Sequence, residues 1–285
     1  MPLPALLLLL GAAVLHGLWN LMLKREGGRA DVALGALAVG ALLGMPAFLV
    51  YRVRDVPLEG WLLVLLSALF ETGYFLALSA AYRVGDLSLV YPLARGTAPI
   101  VVAPLAVLLL GERPSAQGVA GIALVVLGIF ASHVGHLRAG LASPETRRAV
   151  GLALITGLMT AGYSLVNKVG VALVPVPIYS VSVFAVNVLL FALVLRRTGV
   201  PLPLGRDARW GPMLAIGAPM MATYMAIMLA MTLAPVSYVV ATREVSIVFG
   251  AALGALVLKE RHPRSRIIGA AVIFAGLALM ALAPR

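Results

Sequence analysis

Residues Leu87–Arg113 read LSLVYPLARGTAPIVVAPLAVLLLGER, an apolar run with an arginine, Arg95, near its middle. A guanidinium at membrane depth needs a partner or a wet cavity. The run also returns. A shift of 148 positions lays Arg95 on Arg243, Leu105 on Leu253, Leu108 on Leu256, Leu110 on Leu258, Glu112 on Glu260, Arg113 on Arg261, Gly121 on Gly269 and Gly128 on Gly276. Matches at one offset mark a duplicated unit. Duplicated apolar segments, each copy holding a mid-span charge, form the pattern expected of a secondary transporter whose site lies between two halves.

The composition agrees: 62% of the residues are hydrophobic and 12% charged, far outside the range of soluble domains. The formal charge of +11 does not point to nucleic acid, because the basic residues sit in short loops between apolar segments, where they set topology. With no cysteine, disulfides, thiolate metal sites and thiol catalysis are excluded. The opening LLLLLGAAV stretch resembles the core of a secretory signal. It lacks a basic leader and continues past Gly17 into Trp19, so it reads as a first span ending at Lys24, Arg25 and Glu26.

A crossing takes about 20 apolar residues. On that length the chain divides into spans at roughly 2–24, 32–51, 60–82, 87–111, 116–134, 149–172, 177–196, 210–233, 236–258 and 265–283. The expected fold is an all-α membrane protein of ten transmembrane helices, a five-plus-five inverted repeat. Residues 1–138 form the first repeat and 149–285 the second, within one integral membrane domain. An odd number of spans per half sends the second copy in from the opposite side. Loops after spans one, three, five, seven and nine hold fifteen Lys and Arg, from Lys24 to Arg266. The other side holds five: Arg52, Arg54, Arg113, Lys168 and Arg285. The bias predicts both termini outside the cytoplasm.

Polar residues inside spans survive only against a partner or water. His16, Asn20 and Lys24 fall on one face of the first span. At an offset of 147 Tyr163 replaces His16, and Asn167 meets Asn20. The asparagines either hold helices together or meet substrate. His16 is a packing or bonding group or a proton relay, and Lys24 is an anchor at its span's end. Glu71 shares a face with Tyr74 and Leu78. It either titrates during the transport cycle or is the fixed ion-pair partner of Arg95. Aligning Tyr74 with Tyr224 pairs Glu71 with Met221, so the acid is one-sided.

The fourth span holds Tyr91, Pro92, Arg95, Gly96, Thr97, Pro99 and Pro104. Three prolines are expected to loosen it. The ninth span has no proline but sets Arg243 beside Glu244. Neighbours on a helix point about 100° apart, so these two are not each other's main partner. Arg95 and Arg243 are expected to face each other across a central cavity suited to a carboxylate, phosphate or phosphonate. In the other reading each is locked to Glu71 or Glu244.

Weaker signals are Asn187 at mid-span, the small-residue face of Gly250 and Gly254, and a methionine stripe at 213, 220, 221, 225, 228 and 231, best read as core. His133 and His136 lack further ligands nearby, so no metal is expected, and no nucleotide signature or other cofactor motif is present. Transport is then driven by a gradient or runs downhill.

HGLWNLMLKR in the first span, GDLSLVYPLARG leading to LGER in the fourth, and APVSYVVATREVSIVFGAALGALVLKER in the ninth resemble the EamA-type branch of the drug/metabolite transporter superfamily. The resemblance covers essentially the whole chain. It implies a gradient-driven carrier or exporter of small metabolites, amino acids or related compounds in the cytoplasmic (inner) membrane. It also implies alternating access around a cavity walled by spans one, three, four, six, eight and nine. Members of this superfamily commonly place both termini in the cytoplasm, whereas the loop charges here argue the reverse. The expected partners are a small-molecule substrate and the lipid bilayer, with Glu71 the candidate for proton coupling.

Two alternatives stand beside this reading. One is a broad cation or drug exporter built on Glu71 and aromatic faces. The other is a membrane-embedded lipid-modifying enzyme using Glu71 and His16, for which no nucleophile or metal set is evident.

Overall fold

The computed structural model describes residues 1–26, 29–84, 87–132, 143–199, 209–249 and 264–283. Among them the regular elements are all helical. They are α1 Leu3–Arg25, α2 Ala30–Gly44 continued by α3 Ala47–Val50, α4 Leu58–Val84, α5 Leu87–Leu110, α6 Ala116–Ala131, α7 Pro144–Leu173, α8 Val176–Thr198, α9 Trp210–Leu233, α10 Val236–Arg243 and α11 Arg264–Leu282. Among the described residues, seven helical stretches are long and apolar enough to cross a membrane; α6 and the Ile267–Leu282 part of α11 are apolar but shorter. The chain is an integral membrane protein. The expected ninth span is described only as far as residue 249. His133 and His136, Gly250 with Gly254, and the Lys24 side chain lie outside the described residues.

Local chemistry sets several boundaries. α7 starts five residues before the expected span because Ser143 caps it, accepting from the Thr146 amide at 3.1 Å, with Pro144 in the first turn. α8 runs on through Arg196 and Arg197 to Gly199, whose φ of +74° ends it. Pro175 and Pro235 open α8 and α10 after tight corners.

The helices pack in matching sets. α1 packs on α9 as α7 packs on α4; α2 packs on α9 as α8 packs on α4; α5 meets α7 as α10 meets α1. The pairs α2–α8, α5–α10 and α6–α11 complete the set. Exchanging the first five long helices for the last five maps these contacts onto themselves. Glycines permit the closest approach: a Cβ on Gly121 would lie 2.7 Å from the Gly276 carbonyl oxygen, and one on Gly128 2.8 Å from that of Gly269.

At one end of the bundle the Met1 amine donates to the Met280 carbonyl at 3.0 Å. At the same end two charges hold the α9–α10 corner. Lys168 Nζ donates to the carbonyls of Met231 at 2.5 Å and Ala234 at 2.9 Å, at the carboxyl end of α9. The Glu112 carboxylate accepts from the Val236 amide at 2.5 Å and the Ser237 hydroxyl at 2.7 Å, at the amino end of α10. Both charges carry the sign that the helix dipole favours. Two cores close this end, one drawing on Leu9, Val64, Val102, Val171, Ile178, Met231 and Val236, the other, around Met280, on Ile122, Tyr238, Leu277 and Ala283. At the opposite end, where Glu26 pairs with Arg209, packing divides into separate groups. One gathers Val32, Phe184, Met213 and Ile216; the other gathers Ala81, Val90, Ala94 and Ala149.

Candidate functional site

A cavity of about 110 Å³ lies at mid-bundle, roomy enough for several waters or a small organic group. Its walls carry His16 and Trp19 of α1, Leu37 of α2, Glu71, Tyr74 and Phe75 of α4, Arg95 of α5, Tyr163 of α7, Phe184 of α8, and Arg243 of α10. From α9 come Met220, Thr223, Tyr224, Ile227 and Met228. Aromatic rings brace one another around it. Phe184 and Tyr224 meet at 5.1 Å between centroids, Tyr74 and Tyr163 at 6.2 Å, and His16 and Trp19 at 4.7 Å.

The two arginines sit in different company. Arg95 Nε lies 3.6 Å from Glu244 Oε2, Nη2 donates to Ser246 Oγ at 3.3 Å, and Nη2 lies 3.3 Å from His16 Nε2. A guanidinium only donates, so in this contact the His16 nitrogen is the accepting side. The Arg95 guanidinium also lies 5.7 Å from the Tyr91 ring centroid. Arg243 Nη2 donates to the Tyr163 hydroxyl at 3.2 Å, with its guanidinium 5.7 Å from that ring's centroid. Among the described residues no carboxylate lies within 4 Å of it.

Glu71, 8% exposed, is held by neutral donors. Asn187 Nδ2 donates to Oε2 at 2.6 Å and the Tyr224 hydroxyl to Oε1 at 2.9 Å. Behind them the network continues. Thr72 donates to Asn187 at 3.1 Å, Asn167 Nδ2 to the Tyr224 oxygen at 3.3 Å, and Ser67 and Tyr179 to Asn167 Oδ1 at 2.5 and 2.9 Å. This buried chain ties α4, α7, α8 and α9 together and leaves few of its polar atoms orphaned.

Of the residues expected from the sequence, His16, Glu71, Tyr74, Arg95, Tyr163, Tyr224 and Arg243 line the cavity together. Asn20 does not. Its amide donates to the His16 carbonyl one turn back at 2.8 Å and faces outward, and Trp19 takes the inward position. Asn167, Tyr91 and Glu244 stand one layer behind the wall. The ion pair joins Arg95 to Glu244 rather than to Glu71, because Glu244 comes from the facing half whereas Glu71 is already occupied by two donors.

The proline-rich α5 stays continuous from Leu87 to Leu110, contrary to the loosening expected of it. The break falls instead in the proline-free ninth segment. There the amides of Glu244 and Val245 bond three residues back, to Ala241 and Thr242 at 3.2 and 3.1 Å. This 3₁₀-like turn changes the step between neighbours, so that Arg243 reaches the cavity while Glu244 reaches Arg95. The methionines divide: Met220 and Met228 line the cavity, whereas Met213, Met221 and Met231 are packed core. Trp19, Phe184 and Ser246 were missed by sequence reasoning. Ser246 stands three residues from Arg243, a spacing that was there to be read.

The fold and this charged centre can be compared with known proteins. No curated protein matches the chain closely enough to count as a relative. A solved crystal structure with 20% sequence identity superposes at a TM-score of 0.80 over 98% of this chain and 96% of its own, a likeness of fold. The family model of the EamA-like transporters matches twice, over residues 3–133 and 147–282. One match falls on each copy of the duplicated arginine-bearing unit, and with nearly the whole helical bundle covered, the chain belongs to the EamA-like transporter family.

Proposed function

We propose that this protein is a secondary transporter that moves a small carboxylate-bearing metabolite, amino acids included, across the cytoplasmic membrane by alternating access. The observation that carries the reading is the mid-bundle cavity, walled by both halves, with an arginine from each half and one carboxylate, Glu71, on its surface. Ten spans in a five-plus-five inverted repeat are supported by the matching packing pairs and by Met1 meeting Met280 at one end. The end of the bundle at which Glu26 pairs with Arg209 carries the loops rich in arginine. By the loop-charge rule that end is cytoplasmic, with both termini outside.

Thermal stabilisation of the purified protein tests the substrate class, with panels of amino acids, other carboxylates, phosphates and organic cations. A ligand at about 100 times its dissociation constant stabilises by roughly 2.7 kcal/mol. A shift by carboxylates supports the proposal. A shift confined to cations supports the second reading, a cation exporter, which the aromatic walls around Glu71 favour. The two also part at Glu71→Gln: a cation exporter loses export outright, while a carboxylate carrier loses proton coupling and keeps exchange.

A further inference from the structure

Arg95 and Arg243 occupy equivalent places in the two halves, yet only one is neutralised. Arg95 meets Glu244 and Ser246 of the opposite half. The offset that carries Arg243 onto Arg95 carries Glu244 onto Gly96 and Ser246 onto Ala98. The half facing Arg243 therefore offers neither a carboxylate nor a hydroxyl at the corresponding positions. What Arg243 has is Tyr163, one hydrogen bond at 3.2 Å and a ring face. A guanidinium carries five N–H donors, and this one stands at the wall of a cavity with most of them unmet among the described residues.

We infer that the Arg243–Tyr163 corner is a subsite for a single carboxylate, where the substrate gives Arg243 what Glu244 gives Arg95. The inference rests on the cavity being the transport site. The charges set the class of substrate. Arg95 and Glu244 cancel, so among the described residues the wall presents one positive group, Arg243, and one negative group, Glu71. A monocarboxylate fills the first. One that also bears an ammonium group leaves the filled cavity neutral, and a dianion would meet Glu71 with no second cation free. Tyr163 takes one guanidinium N–H and lies against its face, which holds the remaining donors toward the cavity in the planar fork that a carboxylate matches.

The test uses the purified full-length protein and four probes that share a phenyl ring: phenylalanine, N-acetylphenylalanine, phenylethylamine and phenyl phosphate, with dissociation constants from titration calorimetry. Both carboxylate probes bind the wild type. Arg243→Gln weakens them by about tenfold or more, the least expected for a lost charge-assisted hydrogen bond, and leaves phenylethylamine unaffected. Gly96→Asp supplies the missing carboxylate from the protein and weakens the same two probes; its Cβ meets the Phe130 ring at 3.0 Å, a contact the ring must yield. If carboxylate probes bind the wild type and both variants alike, the subsite is wrong while the cavity remains a carboxylate site. If neither carboxylate probe binds the wild type, both fall. The wild type alone gives a further check, since phenyl phosphate binding as tightly as N-acetylphenylalanine overturns the single-carboxylate assignment.

Discussion

Glu244 is 1% exposed and its ion-pair partner comes from another helix, so removing that partner strands a charge in the bundle. Arg95→Met is expected to cost roughly 3–5 kcal/mol, the usual penalty for breaking a buried pair from one side. Arg95→Met with Glu244→Met is expected to recover most of it; unfolding midpoints of the two variants in one detergent check this, and equal midpoints contradict it. Asn187 is the closest donor to Glu71. Asn187→Leu leaves a carboxylate oxygen unmet and is expected to destabilise by about 1–3 kcal/mol. A midpoint unchanged from the wild type would show that water replaces the amide.

Helix contacts within the bundle rest on small residues, since lipid offers no hydrophobic drive for one apolar helix to prefer another. Gly128 faces backbone across α6 and α11, and backbone cannot move aside as a side chain can. Gly128→Leu is expected to part the two helices and lower stability by about 1–3 kcal/mol or more, read as a lower midpoint and faster proteolysis. Gly151→Ala, where a Cβ meets nothing within 4 Å, is the control: it lowers neither the midpoint nor the resistance to proteolysis, and its gain in helix propensity raises the midpoint if it changes it. The α9–α10 corner depends on charge. Glu112→Gln keeps one acceptor oxygen for three donors, the Val236 amide and the Ser237 amide and hydroxyl, and removes the anion from the α10 amino end, with an expected loss of about 1 kcal/mol.

Across the membrane the molecule is asymmetric in loop charge, and the absence of cysteine makes that testable, because a single introduced thiol is the only one present. Arg113 and Arg83 are both exposed and stand at opposite ends of the bundle. A membrane-impermeant maleimide applied to intact cells is expected to label Arg113→Cys and not Arg83→Cys. The reverse pattern, or a carboxy-terminal reporter active only in the cytoplasm that lights up, would place both termini inside.

The membrane class, the duplication and the mid-span charges were legible in order along the chain, because apolar length, a constant offset and a charge in hydrocarbon are all properties of linear sequence. Periodicity also put His16, Glu71 and Tyr74 on inward faces. It misplaced Asn20, whose amide is satisfied by its own helix and so needs no inward partner. Which acid meets Arg95 was not readable, since that depends on the rotation of α5 against the ninth segment and on a turn at Arg243–Val245 that no proline announces. The same holds for the donors around Glu71: Asn187 and Tyr224 lie 116 and 153 residues away along the chain. Spacing orders residues along one helix, whereas the partners of a buried charge are chosen between helices, where only packing sets the distance.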